Sequence, residues 1–134
     1  MKGQCLCGAV SIEVKPVDEV DACHCGMCRR WGGGPYMSID GGVEPLITGE
    51  AFITRYDSSD WAERGFCSKC GTHLFYFLKP KQQYFLTAGF FDDLTDLEFN
   101  KQIFIDQKPS FYEFANNTEN VTEQEFIELI SNGA

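Results

Sequence analysis

The chain is short of positive charge, with 11 Lys and Arg against 20 Asp and Glu and a formal net charge of −9. That balance excludes the broad phosphate-neutralising surface of a nucleic-acid binder. Long apolar runs are also missing: stretches such as Leu74 to Leu78 fall far short of the roughly 20 residues that span a bilayer. The opening MKGQCLCGAV lacks the apolar core and cleavage site of an export signal. These absences predict a soluble, cytoplasmic protein with neither a membrane nor a nucleic acid as partner. No internal repeat, low-complexity tract or Pro/Gly/Ser linker divides the 134 residues, so a single domain over 1–134 is expected. What is present is 43% hydrophobic and 14% aromatic residues, enough to exclude general disorder, and seven cysteines. An odd number of cysteines cannot close as intramolecular disulfides alone, and in a reducing compartment metal ligation outranks a disulfide framework.

The pattern of the remaining sequence is mainly β. Val10, Ile12 and Val14 alternate with Ala9, Ser11, Glu13 and Lys15 until Pro16, the period of a half-buried strand. Further strands are predicted at Tyr36–Ile39, Ala51–Tyr56, Thr72–Leu78 and Tyr84–Phe90, with a short one at Ile103–Ile105. Asp40-Gly41-Gly42 reads as a turn and Pro80 as a break. The glycine-rich segment from Cys23 to Pro35 reads as a site-building loop without regular structure. One helix is predicted at the end. Thr122 and Glu125 have capping-box spacing, Val121 and Phe126 staple spacing, and Gly133 suits the position past the last turn. Its apolar Phe126, Ile127 and Ile130 mark it as a packing helix without chemistry.

The cysteines fall into three clusters: Cys5-x-Cys7, Cys23-x-Cys25-x-x-Cys28 and Cys67-x-x-Cys70, with Gly8 and Gly71 following two of them. Two residues apart on a strand, Cys5 and Cys7 would face the same way. Thiolates ~2.3 Å from a tetrahedral Zn²⁺ need close mutual approach, which a knuckle such as Cys67–Cys70 supplies. Spacing alone does not choose among the divisions of seven thiols. The one that uses every thiol is a four-cysteine structural site plus a three-cysteine site with a coordination place open to water or substrate. The plain alternative is a set of reduced, buried cysteines. His24, between two candidate ligands, reads as a hydrogen-bonded loop histidine, and His73 as a core residue or a partner of a ligand; the alternative is that one of them completes the three-cysteine sphere, making that site structural as well.

These residues identify the chain as similar to the glutathione-dependent formaldehyde-activating family, the GFA or CENP-V/GFA domain. The resemblance covers nearly the whole chain. It is carried by Cys5-Leu6-Cys7-Gly8-Ala9-Val10, by Cys23-His24-Cys25-Gly26-Met27-Cys28-Arg29-Arg30, by Arg64-Gly65-Phe66-Cys67-Ser68-Lys69-Cys70-Gly71-Thr72 and by Ile103-Phe104-Ile105-Asp106-Gln107-Lys108-Pro109. It implies an Mss4-like fold of several coiled, mostly antiparallel sheets around zinc, here with a C-terminal helix. It also implies two zinc ions per chain: a structural one on Cys5, Cys7, Cys67 and Cys70, and an exchangeable catalytic one on Cys23, Cys25 and Cys28. The chain departs from the pattern at Gln102, where many relatives carry His, and at Phe111, where Trp is commoner. The activity implied is that of a carbon–sulfur lyase, reversibly adding glutathione or a similar thiol to an aldehyde such as formaldehyde to give S-hydroxymethylglutathione.

The physical problem in that reaction is the thiol, which at a pKa of ~8.5 is only slightly ionised at neutral pH. Coordination to zinc would ionise it, and three thiolates around a dication leave the centre at net −1, better suited to thiolate exchange than to strong Lewis acidity. An anionic thiol approaching so acidic a chain needs local cations. Arg29 and Arg30 beside Cys28 are candidate carboxylate clamps, and Trp31 with Tyr36 candidate pocket walls around Gly32-Gly33-Gly34. Their plain readings are solvated charges and aromatic cover, and Arg64 is expected to hold structure. Two other functions compete: a zinc-stabilised Mss4-like binding module without catalysis, and a thiol redox protein using Cys25 and Cys28 as its disulfide pair.

Overall fold

A computed structural model describes residues 1–131, so the Gly133 expected at the helix end lies outside the described residues. Along the chain run β1 (Lys2–Gln4), β2 (Ser11–Glu13), β3 (Glu19–Cys23), α1 (Gly26–Gly32), β4 (Tyr36–Asp40), β5 (Leu46–Thr48), β6 (Ile53–Ser59), β7 (Ala62–Cys67), β8 (His73–Leu78), β9 (Gln83–Thr87), β10 (Glu98–Ile103), β11 (Glu119–Val121) and α2 (Glu123–Ser131). Among the described residues no helix is long and apolar enough to cross a membrane. The chain forms two compact units, each made from two separate stretches of sequence.

The first unit comprises Met1–Asp18 and Ser38–Leu97. Here β2 pairs antiparallel with both β1 and β5, and β4, β9, β8, β7 and β6 follow one another in an antiparallel sheet. Val10, Ile12 and Val14 are buried as the alternation predicts, and Ile39, Leu74, Phe75 and Leu86 are buried with them. Gly65 shows why β7 escapes a propensity reading. A Cβ there would run into the Phe75 ring, so this glycine makes room for an aromatic rather than breaking the strand. The Asp40 turn forms as expected, with the Gly42 amide donating to Asp40 Oδ1 at 2.9 Å and Gly42 at φ +72. Two strand predictions shift. Residues 50–52 and 88–90 form 3₁₀ turns, so β6 starts at Ile53 and β9 ends at Thr87.

The second unit comprises Glu19–Met37 and the chain from Glu98 onward. Here β10 lies between β3 and β11 and pairs parallel with both, the parallel minority in a fold expected to be mostly antiparallel. The register sets Ile103 against Cys23 and Gln102 against Ala22. The short strand expected at Ile103–Ile105 is the end of β10, and residues 105–107 turn as 3₁₀.

The largest correction is α1, where a structureless loop was expected. Its glycines bracket the helix: Gly26 opens it, and Gly33, at φ +85, closes it by donating to the Arg29 carbonyl at 2.7 Å. Cys25 is the N-cap, its Sγ accepting from the Cys28 amide at 3.4 Å. A seven-residue helix is too short to persist alone, so these end contacts carry it. At α2 the capping box forms as predicted. The Glu125 amide donates to Thr122 Oγ1 at 3.2 Å, and the Thr122 amide to Glu125 Oε1 at 3.1 Å. Phe126 packs on Phe104 at 5.4 Å between centroids, while Ile127 and Ile130 stay partly exposed, so the apolar face is only half used.

Candidate metal centres

The four-cysteine group joins two knuckles of like construction. Cys5 and Cys7 lie in a turn after β1 rather than on a strand, and the Gly8 amide closes that turn on the Cys5 carbonyl at 3.0 Å. Cys67 ends β7, and the Gly71 amide closes its turn on the Cys67 carbonyl at 2.8 Å. Gly8 and Gly71 sit at φ +78 and +79, a region that L side chains disfavour. The Leu6 amide donates to Thr72 Oγ1 at 3.1 Å and ties one turn to the other.

Cys7 Sγ lies 3.6 Å from Cys5 Sγ and 3.7 Å from Cys67 Sγ, and all four sulfurs fall within 4.8 Å of one another. A tetrahedron with metal–sulfur bonds of ~2.3 Å has edges of about 3.8 Å, so the donor set fits a zinc ion. The surroundings favour thiolates unequally. The Thr72 hydroxyl, 3.1 Å from Cys70 Sγ, holds Cys70 down at about 5. Burial pushes Cys5 up, but the Val10 amide and its neighbouring thiols Cys7 and Cys67 bring it below the ordinary thiol value. The Ala9 amide favours the Cys7 thiolate, yet partial desolvation and the three neighbouring thiols outweigh it and raise Cys7 to about 11.

The three-cysteine group is local. Cys23 ends β3, Cys25 caps α1 and Cys28 lies in its first turn, so one strand-to-helix corner brings the sulfurs within 4.8 Å. Among the described residues no fourth His, Cys, Asp or Glu donor joins them within that distance. Hydrogen bonding to Cys25 and Cys28, with burial, pushes Cys23 far above the ordinary thiol range. Cys23 holds its proton until a cation among the three sulfurs compensates the negative charge, a donor set that suits a dication.

His24 is fully buried and turned to other partners, with Nδ1 2.6 Å from the Tyr112 hydroxyl and Nε2 2.8 Å from Gln102 Oε1. His73 is half-buried in β8 opposite Phe66. Arg29 Nε donates to the His24 carbonyl and an Arg30 terminal nitrogen to the Gly26 carbonyl, each at 3.3 Å. Both guanidinium ends converge over Gly26, where a Cβ would meet Arg30 at 3.0 Å and Arg29 at 3.7 Å. Trp31 packs against buried Tyr36, the ring centroids 5.4 Å apart. Arg64 is buried with its guanidinium 5.1 Å from the Tyr76 ring, a structural place as expected. Sequence reasoning missed Tyr112, which lies 88 residues from its partner His24 and carries no motif.

The sequence matches the family model for the glutathione-dependent formaldehyde-activating enzyme over residues 1–107. The chain belongs to this family. It is 34% identical over 131 residues to a Schizosaccharomyces pombe protein named as an uncharacterized lyase, and the match covers 96% of each chain. A second relative, from Halomonas elongata, is 30% identical over 87 residues, covering 58% of this chain and 55% of its own; its name provisionally assigns it to glutathione-dependent formaldehyde activation. The crystal structure of a Rhodobacter sphaeroides protein superposes with a TM-score of 0.61 at 25% identity, covering 71% of this chain and 91% of that one. The GFA family member described here thus has the fold that the resemblance implies, and carries both cysteine groups within it.

Proposed function

We propose that this GFA family member is a zinc-dependent carbon–sulfur lyase that joins a thiol such as glutathione to an aldehyde such as formaldehyde and reverses that union. In the forward direction a sulfur lone pair attacks the carbonyl carbon. The C=O π pair moves to oxygen, and the thiol's proton ends on that oxygen, giving R–S–CH₂–OH. The observation that carries the reading is the contrast in ligand number: four cysteines at one group, three at the other. Cys5, Cys7, Cys67 and Cys70 complete a tetrahedral set and serve as structural ligands, while Cys23, Cys25 and Cys28 leave a place for a substrate sulfur. Zinc bound at the triad supplies ionisation of the incoming thiol at neutral pH.

The chain's own residues do the rest. Arg29 and Arg30, converging over Gly26, concentrate positive charge beside the triad on a chain of net charge −9, and there they hold a substrate carboxylate. Trp31, braced by Tyr36, walls the binding site. The unit of function is the whole chain acting as one domain in a reducing cytoplasm.

The test is NMR exchange between free formaldehyde and its glutathione adduct, with zinc-loaded wild type and Cys25→Ser. Acceleration by wild type that disappears in the variant supports the reading. Exchange in wild type no faster than in buffer would overturn it.

A further inference from the structure

We propose that two copies of this chain pair through β6 as antiparallel strands about a twofold axis, with Tyr56 opposite the partner's Tyr56 and Arg55 opposite the partner's Asp57. The inference concerns assembly and stands apart from the function proposed above.

β6 is the edge of its sheet: it pairs with β7 and, among the described residues, with no other strand. At seven residues it is also long, whereas β1, β5 and β11 have three each. A strand inside a half-buried sheet alternates between covered and open residues. Here Thr54, Arg55, Tyr56 and Asp57 are exposed in succession, as befits a rim. An edge of this kind with no proline in it is a template for a further strand.

The backbone groups on offer follow from the register. Ile53 lies opposite Cys67 and each later residue to Asp57 keeps step. The Ser68 amide donates to the Phe52 carbonyl at 2.7 Å, while the Cys67 amide turns away to the Thr72 carbonyl at 2.9 Å. Bonded and non-bonded pairs alternate in an antiparallel ladder, so Thr54 and Tyr56 bond to β7. Ile53, Arg55 and Asp57 therefore point their amides and carbonyls out of the sheet.

A twofold pair bonds such outward residues to one another, which leaves four registers within the exposed stretch. Centring on Arg55 sets Arg55 against itself, and centring on Asp57 does the same for Asp57; like charges directly opposite are unfavourable. Centring on Thr54 sets both charges against the uncharged Ile53 and Ala51. Centring on Tyr56 pairs Arg55 with Asp57 twice, and this complementarity selects the register. Tyr56, 65% exposed, then meets its counterpart in a non-bonded pair, where side chains come closest. At each end the exposed Phe52 is carried toward the turn that bears the partner's exposed Trp61.

Both charges are already held in place. The Arg55 guanidinium lies 4.8 Å from the Phe75 ring centroid and donates to the Tyr84 hydroxyl at 3.1 Å and to Glu63 Oε2 at 3.4 Å. Asp57 Oδ1 is 2.8 Å from Lys79 Nζ. Little side-chain freedom is thus lost on pairing. The register shift between Asp57 and Ser59 ends the regular stretch, so the ladder is short and the dimer reversible.

The test uses zinc-loaded protein. Sedimentation equilibrium is expected to show a monomer–dimer equilibrium for wild type. Asp57→Pro removes an outward amide and spares the bonds to β7; the dimer uses that amide twice, so its dissociation constant should rise roughly thirtyfold. Zinc content should stay the same. Tyr56→Cys sets two thiols across the axis at a Cα separation of about 4.5 Å, which a disulfide accepts. Mild oxidation should link this variant into a covalent dimer and leave Thr54→Cys unlinked. A wild type that is monomeric up to its solubility limit, a dimer that Asp57→Pro leaves intact, or linking no better at residue 56 than at 54 would each overturn the inference. Should Asp57→Pro fail to fold, the comparison of the two cysteine variants decides alone. None of these readouts depends on catalysis, so the proposed function can fail without this inference and the reverse.

Discussion

The two cysteine groups differ most in how much chain they tie together. The four-cysteine group links the turn after β1 to the turn between β7 and β8, with Cys7 and Cys67 in sulfur contact across 60 residues. The three-cysteine group spans only Cys23 to Cys28, at a corner whose strand and helix already have partners of their own. A metal in the first closes a long loop and reports on the fold. In the second it closes almost none, so its loss leaves the backbone with little to give up. On the proposed function, the metal that would cost least to remove from the fold is the one that would exchange with substrate.

The strongest way to break this comparison is Cys67→Ser. Losing one ligand removes most of the metal's contribution to folding, and a loss of ~3–5 kcal/mol lowers the Tm by roughly 10–20 °C in a domain of this size. Native-like thermal unfolding would refute the structural role of the four-cysteine group. Cys25→Ser should change the Tm by no more than about 3 °C, because serine is a good N-cap and can replace Sγ as acceptor for the Cys28 amide. Elemental analysis should nevertheless find the triad's metal gone. Equal destabilisation by Cys67→Ser and Cys25→Ser would merge the two roles.

Thr72→Val sharpens the difference in acid. Cys70 sits at about 5 because the Thr72 hydroxyl favours its thiolate, so that contribution is present above the ordinary thiol value and is lost as pH falls through about 5. Removing the hydroxyl raises Cys70, and metal release on acid titration should begin at higher pH than in wild type, with the triad's release unchanged. The smallest effect is expected from Thr122→Ala, which opens the α2 capping box and costs about 1 kcal/mol. It should lower the Tm without altering metal content, separating stability from metal binding in the unit that holds the triad.

What the sequence makes legible follows from how local each feature is. The capping box at Thr122 and Glu125 and the alternation of Val10, Ile12 and Val14 are written within a few residues and appear as read. The cysteine clusters are legible for the same reason, each being complete within six residues. The Cys23–Pro35 segment misleads because its glycines look like breakers when they mark the two ends of α1. β1, β5 and β11 have three residues each, too few to show a period. Tyr112 is illegible in principle: the parallel pairing of β3 with β10, the Lys108 contacts and the Phe114 ring help bring it to His24, and none of these is written near either residue.

The measurement that tests the central contrast most directly is zinc per chain by elemental analysis, before and after several equivalents of glutathione and desalting. The account predicts two zinc ions per chain, one of them mobilised by the thiol and absent from Cys25→Ser, the other retained. A single zinc ion per chain, or two that are both indifferent to glutathione, would contradict it.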